Sequence, residues 1–158
     1  MIRFGLGYDS HRLVPERPLI LGGQRIPSDR GLAGHSDADA VTHAIIDAML
    51  GAASAGDIGT LFPDTDPRWK DAASLGLLRL ARVHLAQRGF AVLHLDVTVI
   101  LEQPKLTAHK ASIAAALAAE LNIPLGAVNI KAKTNEGMGF VGRGEGIAVL
   151  AVATVEGP

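Results

Sequence analysis

HSDADAVTHAIID, residues 35–47, reads as the start of a helix, and the rest of the chain is arranged around it. Ser36 or Asp37 can cap free backbone N–H groups, and Ser36 with Asp39 has the spacing of a capping box. Downstream, Ile45, Ile46, Met49 and Leu50 form an apolar stripe that needs a partner surface. Asp39, His43 and Asp47 are four apart, so they are expected along one edge of the helix. An imidazole between two carboxylates is either a metal ligand with helpers or a solvated polar face. The segment alone leaves both open.

Toward the N-terminus, residues 2–13 alternate. Ile2, Phe4, Leu6 and Tyr8 point one way, and Gly5, Gly7, Asp9 and His11 the other. Asp9 and His11 therefore project from one face of a strand. Carboxylate oxygen and imidazole nitrogen both suit Zn²⁺, although a polar strand end has the same pattern. Residues 15–18 make a turn, 19–22 a short strand, Gly22-Gly23 a hairpin turn and 24–27 its return.

Toward the C-terminus, residues 56–71, GDIGTLFPDTDPRWKD, read as a long loop of lid character, with Phe62 and Trp69 as exposed apolar side chains. Residues 72–88 form an amphipathic helix with Leu75, Leu78, Ala81 and Leu85 inward. A strand over 91–101, a helix over 108–121 and a strand over 128–134 follow. The Gly-rich run 135–146 lacks Gly-Lys-Ser/Thr and leads into a strand, so it is no P-loop. In that last strand, 146–155, both faces are apolar, so both are expected to be buried. The result is an α+β fold: a mixed four-stranded sheet with helices on one face, plus a small N-terminal hairpin. The helices cover one face, and a second copy of the chain is the economical cover for the other.

The 158 residues suffice for a single domain, 1–158, with a real core. A net charge of -1 gives no basic surface for nucleic acid. No apolar run approaches about 18 residues, so no membrane span is expected, and no targeting segment is visible, which makes the cytoplasm the default location. With no Cys, disulfides, thiolate zinc sites and Cys nucleophiles are excluded.

Jointly, the polar signals are stronger than singly. Asp9, His11 and His43 make three protein ligands with an open fourth position, as in catalytic zinc sites. Asp47, one turn beyond His43, can orient a ligand or bind substrate. Glu136 is a second candidate metal carboxylate. Lys105, Lys131, Lys133 and Arg143 put positive charge near strand ends, suited to phosphate.

The blocks GYDSH at 7–11, LGG at 21–23, HSDADAVTHAIIDAMLGA at 35–52, GDIGTLFPDTDP at 56–67, DVTVI and QPK within 96–105, and NIKAKTNEGMGFVGRGEGIA at 129–148 resemble the 2-C-methyl-D-erythritol 2,4-cyclodiphosphate synthase family, over nearly the whole chain. The resemblance implies a homotrimer with sheets packed inward and active sites between neighbours. It implies a cytidine diphosphate substrate, 4-diphosphocytidyl-2-C-methyl-D-erythritol 2-phosphate, whose 2-phosphate attacks the β-phosphate, releases CMP and closes a cyclic diphosphate for isoprenoid synthesis. Zn²⁺ is then expected on Asp9, His11 and His43, and Mg²⁺ or Mn²⁺ between the diphosphate and Glu136. His35 and Thr134 are expected to stabilise the transition state. Ser36, Asp47, Asp57, Ile58, Gly59 and the lid residues Phe62, Pro63, Asp64, Thr65 and Asp66 are expected to hold the methylerythritol phosphate. Leu101, Pro104, Lys105, Leu106, Thr107, Ala132, Lys133 and Asn135 are expected to hold the nucleotide, with Phe140 and Arg143 nearby.

Lys133 and Asn135 flank Thr134 where relatives often carry hydroxyl residues, and Leu150 stands where some relatives have Glu at the trimer axis. The end at Pro158 gives the expectation of a single-activity form, not a fusion with the preceding transferase. Two other classes use the same residues: a zinc phosphoesterase acting through metal-bound water, and a non-catalytic nucleotide-binding trimer.

Overall fold

The computed structural model describes residues 1–158. Its frame is the long strand β1 (Ile2–Pro15), which pairs antiparallel with β7 (Gly146–Glu156) from Ile2 opposite Glu156 to Arg12 opposite Gly146. On the far side of β7 lies β5 (Ala91–Ile100), antiparallel to it, and β5 pairs in parallel with β6 (Val128–Lys133). These are the four expected strands in a mixed sheet. A short fifth strand, β4 (Arg30–Leu32), adds to the outer edge of β1, giving the order β4-β1-β7-β5-β6. The hairpin of β2 (Leu19–Leu21) and β3 (Gln24–Ile26) stands apart.

Helix α1 (Ala40–Ala52) lies on β1 and β7, and α3 (Ser74–Gln87) and α4 (Lys110–Leu121) complete the helical layer. The strand offers the helix two glycines. A Cβ at Gly5 would lie 1.9 Å from the carbonyl oxygen of Ala48, and one at Gly7 would lie 1.8 Å from that of Ala44. Backbone therefore meets backbone there. Helix α1 is buried on nearly all sides, with sheet below and α3 above, so its Ile45, Ile46, Met49 and Leu50 all enter the core.

The helix starts later than the Ser36 or Asp37 cap expected from the sequence. Asp39 is the N-cap, accepting from the Thr42 N–H at 3.0 Å, and it does not lie on a polar edge with His43 and Asp47. It is fully buried and also accepts from the Gly22 and Gly23 N–H groups at 2.8 and 2.7 Å, the Thr42 hydroxyl at 2.8 Å and the Ser74 hydroxyl at 2.6 Å. Five donors replace the water a buried carboxylate loses. Asp39 thus joins the hairpin turn to the first turns of α1 and α3.

Residues 56–71 are more ordered than a plain loop. Asp57 caps the single turn α2 (Ile58–Leu61), and Asp66 caps a 3₁₀ turn over Pro67–Trp69. Phe62 and Trp69 are half-buried, not exposed: their rings meet edge-on at 5.1 Å and pack against the core. The Gly-rich run contains one further helical turn, α5 (Gly139–Gly142).

On β7, Ile147, Val149, Ala151, Ala153 and Val155 face the helices and are buried. On the opposite face, Leu150 and Val152 remain 37% and 38% exposed in the single chain, beside Phe4, Leu6 and Tyr8 of β1. The pairing aligns Leu6, Val152, Asp96 and Asn129 in one row, and Tyr8, Leu150, Thr98 and Lys131 in the next. The open face is therefore apolar over β1 and β7, and polar over β5 and β6, where Lys131 pairs with Asp96 at 2.7 Å.

The glycine contact is open to test. Gly7→Ala is expected to cost about 3 kcal/mol, because its methyl group would overlap helix backbone that cannot move without displacing α1 from the core. Urea unfolding at matched protein concentration measures this; a variant with the wild-type midpoint would contradict the contact.

Candidate active site

Because Gly5 and Gly7 hold α1 against β1, the next residues on that strand face, Asp9 and His11, meet the first turn of α1, where His43 sits. His11 Nε2 lies 2.8 Å and His43 Nδ1 3.2 Å from the same oxygen, Oδ2 of Asp9. One ligand atom from each residue can be chosen so that all lie within 4.8 Å of one another. The outer ring nitrogens are held too. His11 Nδ1 is 2.7 Å from the Ala33 carbonyl, which only accepts, so Nδ1 carries the hydrogen. In the neutral ring, Nε2 then turns a lone pair toward the Asp9 carboxylate. His43 Nε2 is 3.1 Å from the Ser36 hydroxyl, which leaves Nδ1 for Asp9. Acceptors facing one another at these distances need a proton or a cation between them. Two imidazoles and one carboxylate, with a carbonyl and a hydroxyl fixing the rings from outside, fit a zinc site with an open position.

The electrostatics agree. Burial pushes the Asp9 carboxyl up, but hydrogen bonds from His11 and His43, with their charges, bring it below its ordinary range. Burial pushes the His11 imidazole down, but the hydrogen bond to Asp9, the charge of that carboxylate and the Ala33 carbonyl bring it above its ordinary range. The cluster favours positive charge at its centre. Asp47 is not a fourth ligand in this arrangement. It accepts from the Ile58 N–H at 2.7 Å, and burial, with Asp57 and Asp9 nearby, holds its carboxyl above the usual range.

A cavity of about 400 Å³ opens beside the cluster, lined by His11, His43, His35, Ser36, Ile58, Gly59, Phe62, Pro63 and Asp64, together with Trp69 and Leu77. Six of the residues expected around the methylerythritol phosphate are thus in one wall. Asp47, Asp57, Thr65 and Asp66 stand outside it. Asp57 is tied to the Thr60 hydroxyl and N–H, both at 2.8 Å, and these hydrogen bonds hold its carboxyl below the ordinary range. Asp66 pairs with Arg68 at 2.7 Å. Leu77 is a lining residue that the sequence did not single out, and Trp69, expected as an exposed lid side chain, lines the wall as well, since a wall built from a 3₁₀ turn and a helix has no one period.

A separate cleft of about 100 Å³ is lined by Leu101, Pro104, Lys105, Leu106, Thr107, Ala132, Lys133 and Thr134, as expected for the nucleotide, and also by Lys110. Glu136 follows it in sequence and is exposed. An exposed carboxylate beside lysines suits Mg²⁺ or Mn²⁺, which take one or two carboxylates and complete their shell with substrate oxygens and water. Of the four cations named from sequence, Lys131 is taken by Asp96 and Arg143 by Glu145 at 2.8 Å, while Lys105 and Lys133 remain at the cleft. Phe140 lines a third hollow of about 280 Å³ with Ser10, His11 and Arg12.

The Asp9, His11 and His43 cluster and the Lys105 and Lys133 cleft lie toward opposite edges of the sheet. Asp9 is on β1, and the 134–136 turn leaves β6, three strand spacings away, roughly 14 Å across the sheet.

Comparison with known proteins gives one consistent result. The sequence model of the YgbB family matches residues 2–156. The 2-C-methyl-D-erythritol 2,4-cyclodiphosphate synthases of Burkholderia mallei (strain SAVP1) and Burkholderia pseudomallei (strain K96243) are 56% identical over 153 residues, 97% of this chain and 94% of theirs. A solved 2C-methyl-D-erythritol-2,4-cyclodiphosphate synthase in a CDP-bound form superposes with a TM-score of 0.90 at 40% identity, covering 98% of this chain and 100% of that one. The bifunctional IspDF from Campylobacter jejuni superposes with a TM-score of 0.96 at 40% identity; all of this chain is covered, but it spans 43% of that protein. IspF from Plasmodium falciparum, in a CDP complex, gives 0.86 at 33% identity over 99% of this chain and 96% of that one.

The geometry predicts that His43→Ala loses the zinc expected at this cluster and keeps its fold, since the cluster offers only three candidate ligand side chains. Elemental analysis beside circular dichroism checks this. Full zinc occupancy in the variant would show that the ion sits elsewhere.

Proposed function

The chain belongs to the YgbB family, and from that membership we infer what its site does. It is an enzyme of isoprenoid precursor synthesis that converts 4-diphosphocytidyl-2-C-methyl-D-erythritol 2-phosphate to 2-C-methyl-D-erythritol 2,4-cyclodiphosphate and releases CMP. An oxygen of the 2-phosphate bonds to the β-phosphorus. The bond from that phosphorus to the bridging oxygen breaks, and its electron pair leaves with CMP.

The assignment of roles rests above all on the convergence of Asp9, His11 and His43 at the wall of the larger cavity. We assign Zn²⁺ to this set and Mg²⁺ or Mn²⁺ to Glu136. Bound there, the ions supply charge neutralisation on phosphate oxygens, which is what phosphoryl transfer most needs. The chain's own residues supply position. Ser36, Ile58 and Gly59 lie where they can hold the 2-phosphate beside the cluster, with Asp47 fixing Ile58 through its N–H. The half-buried Phe62 and Trp69 turn the 62–66 segment toward the cavity, where it can exclude water from the diphosphate. His35 and Thr134 lie at the two sites as hydrogen-bonding groups for the charge that develops on the transferring phosphoryl. Lys105 and Lys133 offset the charge on departing CMP. A phosphate nucleophile is already ionised at neutral pH, so no Ser or Cys nucleophile and no strong base are required.

The reading includes a homotrimer whose sites lie between subunits. Its support is the exposed apolar face over β1 and β7 and the separation of the two half-sites across the sheet. In a closed ring of three, each interface joins two different surfaces, so one chain's metal edge can meet its neighbour's nucleotide edge. A cytoplasmic location completes the reading; no helix is long and apolar enough to cross a membrane.

Incubation with the diphosphocytidyl substrate, followed by phosphorus NMR, is expected to show CMP and the cyclic diphosphate in equal amounts, dependent on Mg²⁺ or Mn²⁺. CMP with a linear phosphate product would instead indicate metal-assisted hydrolysis.

A further inference from the structure

We propose that Glu102 is a positioning residue for Glu136: its carboxylate holds the turn that presents Glu136 to the second metal ion. The proposal rests on the metal-ligand reading of Glu136 given above. Glu102 follows β5, and Glu136 follows β6, the parallel neighbour of β5. One oxygen, Oε1 of Glu102, accepts from the Asn135 N–H at 2.9 Å and from the Gly137 N–H at 3.3 Å. These amides bracket Glu136, whose own N–H donates to the Thr134 hydroxyl oxygen at 3.3 Å.

The turn needs such a hold. Glu136 has φ 53°, in the left-handed region that a non-glycine residue adopts rarely, and Gly137 follows at φ 72°. In this turn the Asn135 and Gly137 N–H groups converge on one point, an arrangement that favours an anion. Here the anion is a carboxylate of the chain itself. Across the turn, the Met138 N–H donates to the Asn135 carbonyl at 2.9 Å and Asn135 Nδ2 to the Met138 carbonyl at 2.8 Å, but neither contact touches Glu136. Without Glu102, only the weak Thr134 contact restrains residue 136 directly, and the left-handed conformation relaxes.

Glu102→Ala and Glu102→Gln in the zinc-loaded enzyme test this. Amide exchange at Asn135 and Gly137, measured without nucleotide, is expected to accelerate about tenfold in Glu102→Ala, the size of one lost charged hydrogen bond. The Mn²⁺ concentration for half-maximal CMP release is expected to rise by about the same factor, since a loosened ligand binds with the fraction of turns correctly formed. Zinc content and the substrate KM at saturating Mn²⁺ should stay at wild-type values. Glu102→Gln keeps an acceptor of the same reach and is expected to restore both readouts to within about threefold. Unchanged exchange at both amides in Glu102→Ala would overturn the positioning role. So would a raised substrate KM with unshifted Mn²⁺ dependence, which would make Glu102 a nucleotide contact. Glu136→Gln separates the premise: wild-type Mn²⁺ dependence in that variant would overturn the ligand reading itself, whatever the exchange data show.

Discussion

Helix α1 rests on strand β1 with no side chains between them at Gly5 and Gly7, and much of the molecule follows from that contact. It sets the helix close enough that His43 reaches the Asp9 carboxylate and stands opposite His11. Any larger residue at either glycine would lift the helix and separate the imidazoles. Asp39 then fixes the helix along its axis. Its five hydrogen bonds join the Gly22-Gly23 turn, the start of α1 and Ser74 at the start of α3. Buried charge of this kind is stable only while fully partnered, so the hairpin, both helices and the 34–39 segment hold or fail together.

The same sheet that builds the Asp9, His11 and His43 cluster carries the cleft proposed for the nucleotide toward its other edge. β7 and β5 intervene, so a substrate with a phosphate at one group and a cytidine diphosphate at the other would have to cross both strands within one chain. The open sheet face supplies the alternative. Phe4, Leu6, Tyr8, Leu150 and Val152 form an exposed apolar surface, and the polar rows of β5 and β6 lie beside it. In the proposed trimer, neighbours packed about that apolar face would bring unlike edges together and put the chemistry at the seam.

Periodic features were legible in the sequence. The alternation of residues 2–13 marked β1, and with it the shared face of Asp9 and His11. The apolar run of 146–155 marked a strand with two faces to cover, and the chain leaves Leu150 and Val152 of one face open. The resemblance through the HSDAD, GDIGTLFPDTDP and GRGEGIA blocks led to the family and the reaction. Less legible were contacts decided by distance. Asp39 shares the four-residue spacing of His43 and Asp47, yet it turns inward, because a cap one residue before the helix need not follow helical geometry. Ile58–Leu61 is too short for a period to declare itself. Trp69 is half-buried by a ring seven residues upstream, Phe62, in a segment whose Pro and Asp content reads as loop. Glu102 carries no signal in the sequence, because its partners are backbone amides 33 and 35 residues away.

The claim that the active site is shared between chains is tested most directly by mixing two inactive enzymes. His43→Ala removes the metal edge and Glu136→Ala the nucleotide edge. Unfolded together in equal amounts and reassembled, the chains form mixed rings in which each site needs one intact edge from each of two neighbours. Random assembly then restores roughly a quarter of the sites, and CMP release should recover to about that fraction of wild type. If each site lay within one chain, every chain would still carry one defect. Subunit exchange confirmed by mass spectrometry, with activity no higher than that of the single variants, would contradict the shared site.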